Sequence, residues 1–437
     1  AFGASVASVG AVERAFSSLL DSTIDVQKAL KELQVISEAS NSEIVEYGNR
    51  LFDVARNTAT SFKDAAKAAL EFSRQGLAMN QIIERTNDTM IMMRLTGISL
   101  DEAINGLTAI NAFSNEDLSS SEILNALSAI DLAAAASTDG IIQGMARSAS
   151  AARSAGVSFR ELAAFIATLQ ETTGLQGGVL GNSAKSIFTR IIDPSKLQTL
   201  KGFGIKVESD NGELLETMDI LKNMAKTING LGGVQVFGDR SELVKFLKEM
   251  SGLYQIDKLT SLMNDLGRSL ESLPEEKIKE IENSLNSFGL SLNGPDGLKQ
   301  GVDVLKEISI QIKNTSDEAQ KSKLQQLYKE VEKGVSRYDR NLLNANQAVD
   351  EAYQKNAILN QTLDAQIQKL KTTGIELGSA FGNTAFLDDL TSGLSTVNNL
   401  LEKITDGIKG EGSLAFLENV VQGIGSILTG PGLVLAI

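Results

Sequence analysis

Apolar residues recur every three or four positions along most of this chain, the spacing that lays a single stripe along a helix, and alternation with period two is brief. Helix starts are densely marked as far as Gly174. Ser40-Asn41-Ser42-Glu43, Ser61-Phe62-Lys63-Asp64, Ser99-Leu100-Asp101-Glu102, Ser119-Ser120-Ser121-Glu122 and Ser158-Phe159-Arg160-Glu161 each place a hydroxyl three residues ahead of a carboxylate. That pairing satisfies the unbonded amides of a first helical turn. Gly76, Gly97, Gly156 and Gly174 follow helical runs and predict left-handed C-terminal caps. Gly97-Ile98-Ser99 and Gly156-Val157-Ser158 are near copies in which one helix stops and the next begins at once. The pattern predicts an array of helical hairpins.

Between Gly174 and Asn211 the pattern changes. Gly174, Gly177, Gly178 and Gly181 read as a glycine-rich loop, followed by a helix from Ser183 to Ile192 that ends at Asp193-Pro194. Ile205-Lys206-Val207 alternates like a short strand that turns back through Asp210-Asn211-Gly212, and helical spacing resumes at Leu214. A second copy follows. Leu200, Phe203-Gly204-Ile205, Val207, Asn211-Gly212 and Asp219-Ile220-Leu221-Lys222 match Leu285, Phe288-Gly289-Leu290, Leu292, Asp296-Gly297 and Asp303-Val304-Leu305-Lys306 with one gap. One supersecondary unit, a helix, a Phe-Gly turn, a short hairpin and a helix, is used twice.

From Leu324 onward, steps of four and three pick out Leu324, Tyr328, Val331, Val335, Tyr338, Leu342, Ala345, Val349, Ala352, Asn356, Leu359, Leu363, Gln366 and Leu370. All but Asn356 and Gln366 are apolar, which is the seam of a coiled coil or long helical hairpin and a candidate surface for pairing between copies. As one helix it spans roughly 70 Å. The same spacing also fits a helix packed on its own domain, and Gly334 sits within it. After Gly374 the chain turns glycine-rich and apolar, and no charge follows Glu418. Val420, Val421, Ile424, Ile427 and Leu428 are its candidate membrane-contact residues, with plain helix packing as the other reading.

Composition narrows the chemistry. Hydrophobic residues make up 42% of the 437 positions but aromatics only 5%, so helices pack through Ala, Leu and Ile, and the four prolines leave long stretches unbroken. His, Cys and Trp are absent, which removes thiolates, the usual neutral-pH base and most zinc, copper or haem sites. The net charge of −14 gives no electrostatic reason to hold nucleic acid. The chain opens at Ala1 without Met and closes inside the apolar run Leu433 to Ile437, so it reads as an excerpt of something longer.

No phosphate-cradling Gly-Lys dipeptide, Gly-x-Gly-x-x-Gly run or Gly-x-Ser-x-Gly elbow occurs. The Asp210-Asn211-Gly212 turn fails as a calcium loop because Val207 stands where the first acidic ligand belongs, and Leu292 does so in the second copy. Asp388-Asp389 and Glu275-Glu276 are adjacent carboxylates that point to different sides of a helix, and Ala133 to Ala136 is a close-packing face. No residue is assigned a catalytic, cofactor-binding or metal-ligating role.

Taken in order, the capped helices from Ser37, the run Gly156-Val157-Ser158-Phe159-Arg160-Glu161-Leu162, the glycine-rich Gly174 to Gly181, Ile191-Ile192-Asp193-Pro194-Ser195, Leu200-x-x-Phe203-Gly204-Ile205 and Val236-Phe237-Gly238-Asp239-Arg240-Ser241 resemble the core domain of phage tail tape measure proteins. The glycine stretch carries one glycine beyond the family's pattern, and the family varies after the Phe-Gly-x-Arg element. The resemblance implies a virion protein whose length sets tail length, which lies in the tube lumen and leaves ahead of DNA. It further implies association around the tail axis, contacts with tube, initiator or baseplate and tip proteins, and a stay in the host cytoplasm during assembly. A competing expectation is a helical pore-forming or membrane-penetrating accessory of a phage tail or contractile injection system, touching host membrane through its C-terminal apolar segment.

The expected fold is mainly α: an array of helical hairpins with small β-hairpin inserts, followed by long coiled-coil-like helices. Its expected divisions are a helical lead-in at 1–36, the core domain at 37–258, the second Phe-Gly unit and long helix at 259–373, and a glycine-rich apolar segment at 374–437.

Overall fold

Each predicted serine cap forms. In the computed structural model, which describes residues 25–113, 118–229, 236–252, 254–294 and 297–380, the Glu43 amide donates to Ser40 Oγ at 3.3 Å while the Ser40 amide donates to the Glu43 carboxylate at 2.8 Å. The same reciprocal pair closes at Ser99, Ser119 and Ser158, and Ser61 accepts from the Asp64 amide at 3.0 Å. Gly76, Gly97, Gly156 and Gly174 all take the left-handed conformation. These signals set the helices α1 (Asn41–Thr58), α2 (Phe62–Arg74), α3 (Met79–Thr96), α4 (Leu100–Phe113), α5 (Ser120–Ala133), α6 (Thr138–Ser154) and α7 (Phe159–Thr173). They are preceded by a helical stretch at 25–37.

The helices continue as α8 (Gly177–Ile191), α9 (Pro194–Gly202), α10 (Thr217–Asn229), α11 (Arg240–Ser251), α12 (Ile256–Leu266), α13 (Glu275–Ser287), α14 (Gly301–Asn314), α15 (Glu318–Glu332), α16 (Arg337–Gln347), α17 (Glu351–Leu359) and α18 (Leu363–Ala380). The fold is mainly α, as the stripe pattern predicts. Residues 29–372 form one compact unit. Its centre is α7, where Leu162, Ala163, Ala164, Phe165, Ile166, Ala167 and Leu169 are fully buried beneath α5, α6, α8, α12 and α16.

Three expectations are corrected. The glycine-rich stretch is not a loop: Gly177, Gly178 and Gly181 occupy the first turns of α8, which packs extensively along α6. A Cβ on Gly177 would stand 1.9 Å from the Gly140 carbonyl oxygen, and one on Gly181 would stand 2.4 Å from the Gly144 carbonyl oxygen. The obstacle is backbone, which has no rotamer to change. The missing side chains let two helices touch main chain to main chain. Helix α8 ends ahead of Asp193-Pro194 as expected, and Pro194 opens α9: it is the first residue, and Asp193 caps it by accepting from the Ser195 amide at 2.8 Å.

The hairpin inserts shrink to tight turns. In the first, Glu208 and Leu214 make a single antiparallel bridge and helical geometry resumes only at Thr217. In the second, Asn293–Gly294 pairs with Gly297–Leu298. The internal repeat is nonetheless copied in hydrogen bonds: the Ile205 amide donates to Leu200 and the Leu290 amide to Leu285, each at 3.0 Å. The Leu215 amide donates to Val207 and the Lys299 amide to Leu292, each at 2.9 Å, while Gly204 and Gly289 take φ of 73° and 71°.

The long coiled-coil-like helix does not form either. Residues 324–370 fall in the four helices α15 to α18, because Ser336 caps α16 by accepting from the Asp339 amide and the backbone leaves helical geometry again at 348–350. Leu324, Val331 and Val335 lie in a second core with Leu285, Leu292, Val304, Leu305 and Ile308, and Tyr328 packs against it. The stripe as far as Val335 therefore packs within the chain.

The crossing yields a contrast between neighbouring glycines. Gly177→Ala is expected to destabilise the fold by about 2 kcal/mol or more through backbone overlap. Gly178→Ala meets only the movable Arg147 guanidinium at 3.2 Å and gains helix propensity, so it should be neutral or stabilising by up to about 1 kcal/mol. Urea unfolding of the two variants checks this, and equal costs would contradict it.

Candidate functional site

The Phe203-Gly204 turn meets the Phe237-Gly238 motif in space. Phe203 and Phe237 stand 4.7 Å apart between ring centroids, and Phe246 closes the trio at 5.1 and 4.8 Å. Each motif glycine makes the turn that delivers its ring: Gly204 and Gly238 have φ of 73° and 70°. Asp239 then caps α11, accepting from the amides of Ser241 at 2.7 Å and Glu242 at 2.9 Å. Arg240 of the same element is solvent-exposed. The far end of α11 is pinned to α8: Ser186 Oγ donates to the Ser251 carbonyl at 2.7 Å, and Arg190 donates to that of Glu249 at 3.3 Å. The motif block is thus a structural clasp around the glycine crossing. Phe246 was not singled out from sequence because nothing local marks a ring whose partners lie in other elements.

A second feature has no signal in the sequence pattern. The helices α16 and α17 and the start of α18 return across α3, α5, α7 and α12 through buried polar groups. Asp265, 1% exposed, accepts from Arg337 and from the Tyr338 amide, each at 3.2 Å, and burial raises its carboxyl above the usual range. Asn341 donates to Thr168 at 3.3 Å and to Glu171 at 3.0 Å, and Lys222 pairs with Asp339 at 2.7 Å. Asp88 is wholly buried. Tyr353 Oη donates to its Oδ1 at 2.5 Å while Oδ2 has no hydrogen-bond partner. Burial pushes this carboxyl up to about 6, and Glu84 on the same helix adds to the shift. The phenol of Tyr353 is itself raised far above its ordinary value, by burial first and then by the neighbouring carboxylate.

Of the predicted seam residues, Leu324, Val331, Val335 and Tyr338 are buried within the chain. Tyr328, Leu342, Leu359 and Leu370 are half-buried, and Val349 and Leu363 are 68% and 47% exposed. Val420, Val421, Ile424, Ile427 and Leu428 lie outside the described residues. Among the described residues no helix is long and apolar enough to cross a membrane, and no group of acidic side chains is arranged to hold a metal ion. The open groove between α13 and α15, about 310 Å³, is lined by Lys277, Glu280, Ile281, Phe288, Leu327 and Glu330, a mixture of ion-pairing and packing residues with no nucleophile and base set against each other.

A domain of clasped, capped helices with no catalytic constellation among its described residues is the class defined so far. Residues 41–239 match the family described as phage-related minor tail protein. The chain is also 27% identical over 247 residues to the probable tape measure protein of Escherichia phage P2, a match that takes in 53% of this chain and 30% of that protein. The likeness to tape measure proteins that the motifs suggest is therefore found by comparison as well. No solved structure matches.

Asp88 makes stability depend on pH. Its carboxyl titrates near 3.8 when free and about 6 when folded, so the folded state holds the proton more tightly. Stability from this group is present at low pH and is lost as pH rises from about 4 through about 6. Asp88→Asn should therefore stabilise the protein more at pH 8 than at pH 5, by about 1.4 kcal/mol, in urea unfolding at the two pH values. An equal effect at both would contradict the assignment.

Proposed function

We propose that the chain is the helical part of a phage tail tape measure protein, which sets tail length during assembly, lies in the tail tube lumen and leaves ahead of DNA on infection. The observation that carries this reading is the family match at 41–239 together with the relative named a probable tape measure protein. The architecture supports it: capped helices joined by short turns convert residue number into length at about 1.5 Å per residue once drawn out. A net charge of −14 supports it too, since an acidic chain does not grip the DNA that must pass the same lumen.

In this reading the chain acts as a structural protein without catalysis. Its partners are other tail proteins: tube, initiator or baseplate and tip, with further copies of itself about the tail axis. It is made in the host cytoplasm and resides in the virion tail. In-frame duplication of residues 301–347 in the phage should lengthen the tail by roughly 70 Å, at about 1.5 Å per residue, in electron micrographs. Tails of unchanged length on otherwise normal particles would contradict the ruler role.

A further inference from the structure

The stretch from Val349 to Thr372 is built inside out. Four of its larger apolar side chains face water: Val349, Ile358, Leu363 and Ile367 are 68%, 66%, 47% and 43% exposed, while Leu359 and Leu370 are half-buried. Its buried apolar side chains are two alanines, Ala352 and Ala365. What touches the rest of the unit is polar. Asn125 donates to the Val349 carbonyl at 2.6 Å and accepts from the Ala352 amide at 3.1 Å. Tyr353 reaches Asp88, and Lys355 pairs with Asp131 at 2.7 Å. Asn356 and Asn360 donate to the Asn57 carbonyl at 3.1 and 2.7 Å, and Arg94 donates to both their side-chain oxygens. Thr372 Oγ1 donates to the Thr60 carbonyl at 3.2 Å.

We propose that residues 349–372 form a releasable strap, docked on α1, α3 and α5 by polar latches and able to lift away while the helical core beneath stays folded. Each latch exchanges a protein partner for water when it opens, so the net cost per bond is small, whereas a large apolar side chain pulled from a core recovers nothing. Two buried alanines and two half-buried leucines supply little of that second kind of adhesion. The contrast with α7 is sharp, since it buries Leu162, Phe165, Ile166 and Leu169 completely. The hinge lies at 348–350, where the backbone is non-helical between α16 and α17. Opening would add length to the chain without unmaking a hydrophobic core. The strap is a property of this chain alone and stands whether or not the protein sets tail length.

Because the chain has no cysteine, spin labels can be placed singly at will. In the full 437-residue chain, labels on Asp53→Cys and Ile358→Cys report docking by pulsed electron-spin distance measurement, and labels on Asp53→Cys and Asp101→Cys serve as a control within the array. The strap pair should give a docked and a longer, released distance. Asn125→Ala, which removes two latches, should raise the released-to-docked ratio about tenfold. The control pair should keep one distance throughout. Should Asn125→Ala fail to fold, Tyr353→Phe removes a single donor, retains the ring and should raise the ratio several-fold. A single docked distance in the parent chain and in the folded variant would overturn the strap, as would a control pair that broadens together with it.

Discussion

The contact on which the structure depends is the crossing of α6 and α8, where Gly177 and Gly181 rest on the carbonyl oxygens of Gly140 and Gly144. Main chain against main chain is the closest approach two helices can make, and it sets how far α7, the helix between them in sequence, can sink into the unit. With the pair closed, Phe165 of α7 meets Phe188 of α8 at 4.7 Å, and α7 becomes the buried axis on which α5, α12 and α16 pack. The C-terminal half of α8 then holds α11 through Ser186 and Arg190, which brings Phe246 to the two Phe-Gly turns. The motifs that mark the family resemblance are, physically, one glycine contact and the clasp built around it.

Much of this fold was legible because its signals are local. A serine three residues before a glutamate, or a glycine after a helical run, acts within one turn of backbone, and every such start and stop named from sequence up to Gly174 is found where expected. The repeat of Leu200 to Lys222 in Leu285 to Lys306 was legible for the same reason, and it reappears as matching hydrogen bonds. The glycine stretch was misread because its cause is tertiary. Gly177 and Gly181 look like loop residues until α6 is set against them, since glycine's helix penalty of about 1 kcal/mol is outweighed by the contact its absent side chain allows.

The heptad-like stripe failed differently. Leu324, Val331 and Val335 are apolar at the right spacing, but Ser336 offers a hydroxyl to the Asp339 amide, and that local cap ends the helix the stripe would continue. The buried polar groups, Asp88, Asn125 and Asp265, carry no sequence signature, because a carboxylate in a helix reads as surface until its burial is known. The Phe-Gly turns were visible as motifs, and their meeting was not. Only the three-dimensional packing shows that Phe203 and Phe237 share a third ring.

This chain has two kinds of internal contact. Around α6, α7 and α8 it is dry and tightly packed. Along α17 and the start of α18 it is polar and hydrogen-bonded. Native-state hydrogen exchange read helix by helix tests the central claim that the glycine crossing is the contact on which the rest depends. The account predicts that amides of Thr138–Ser154 and Gly177–Ile191 exchange last and with the same free energy, as one cooperative unit. Earlier opening of either helix while Phe159–Thr173 and Arg337–Gln347 stay protected would contradict it.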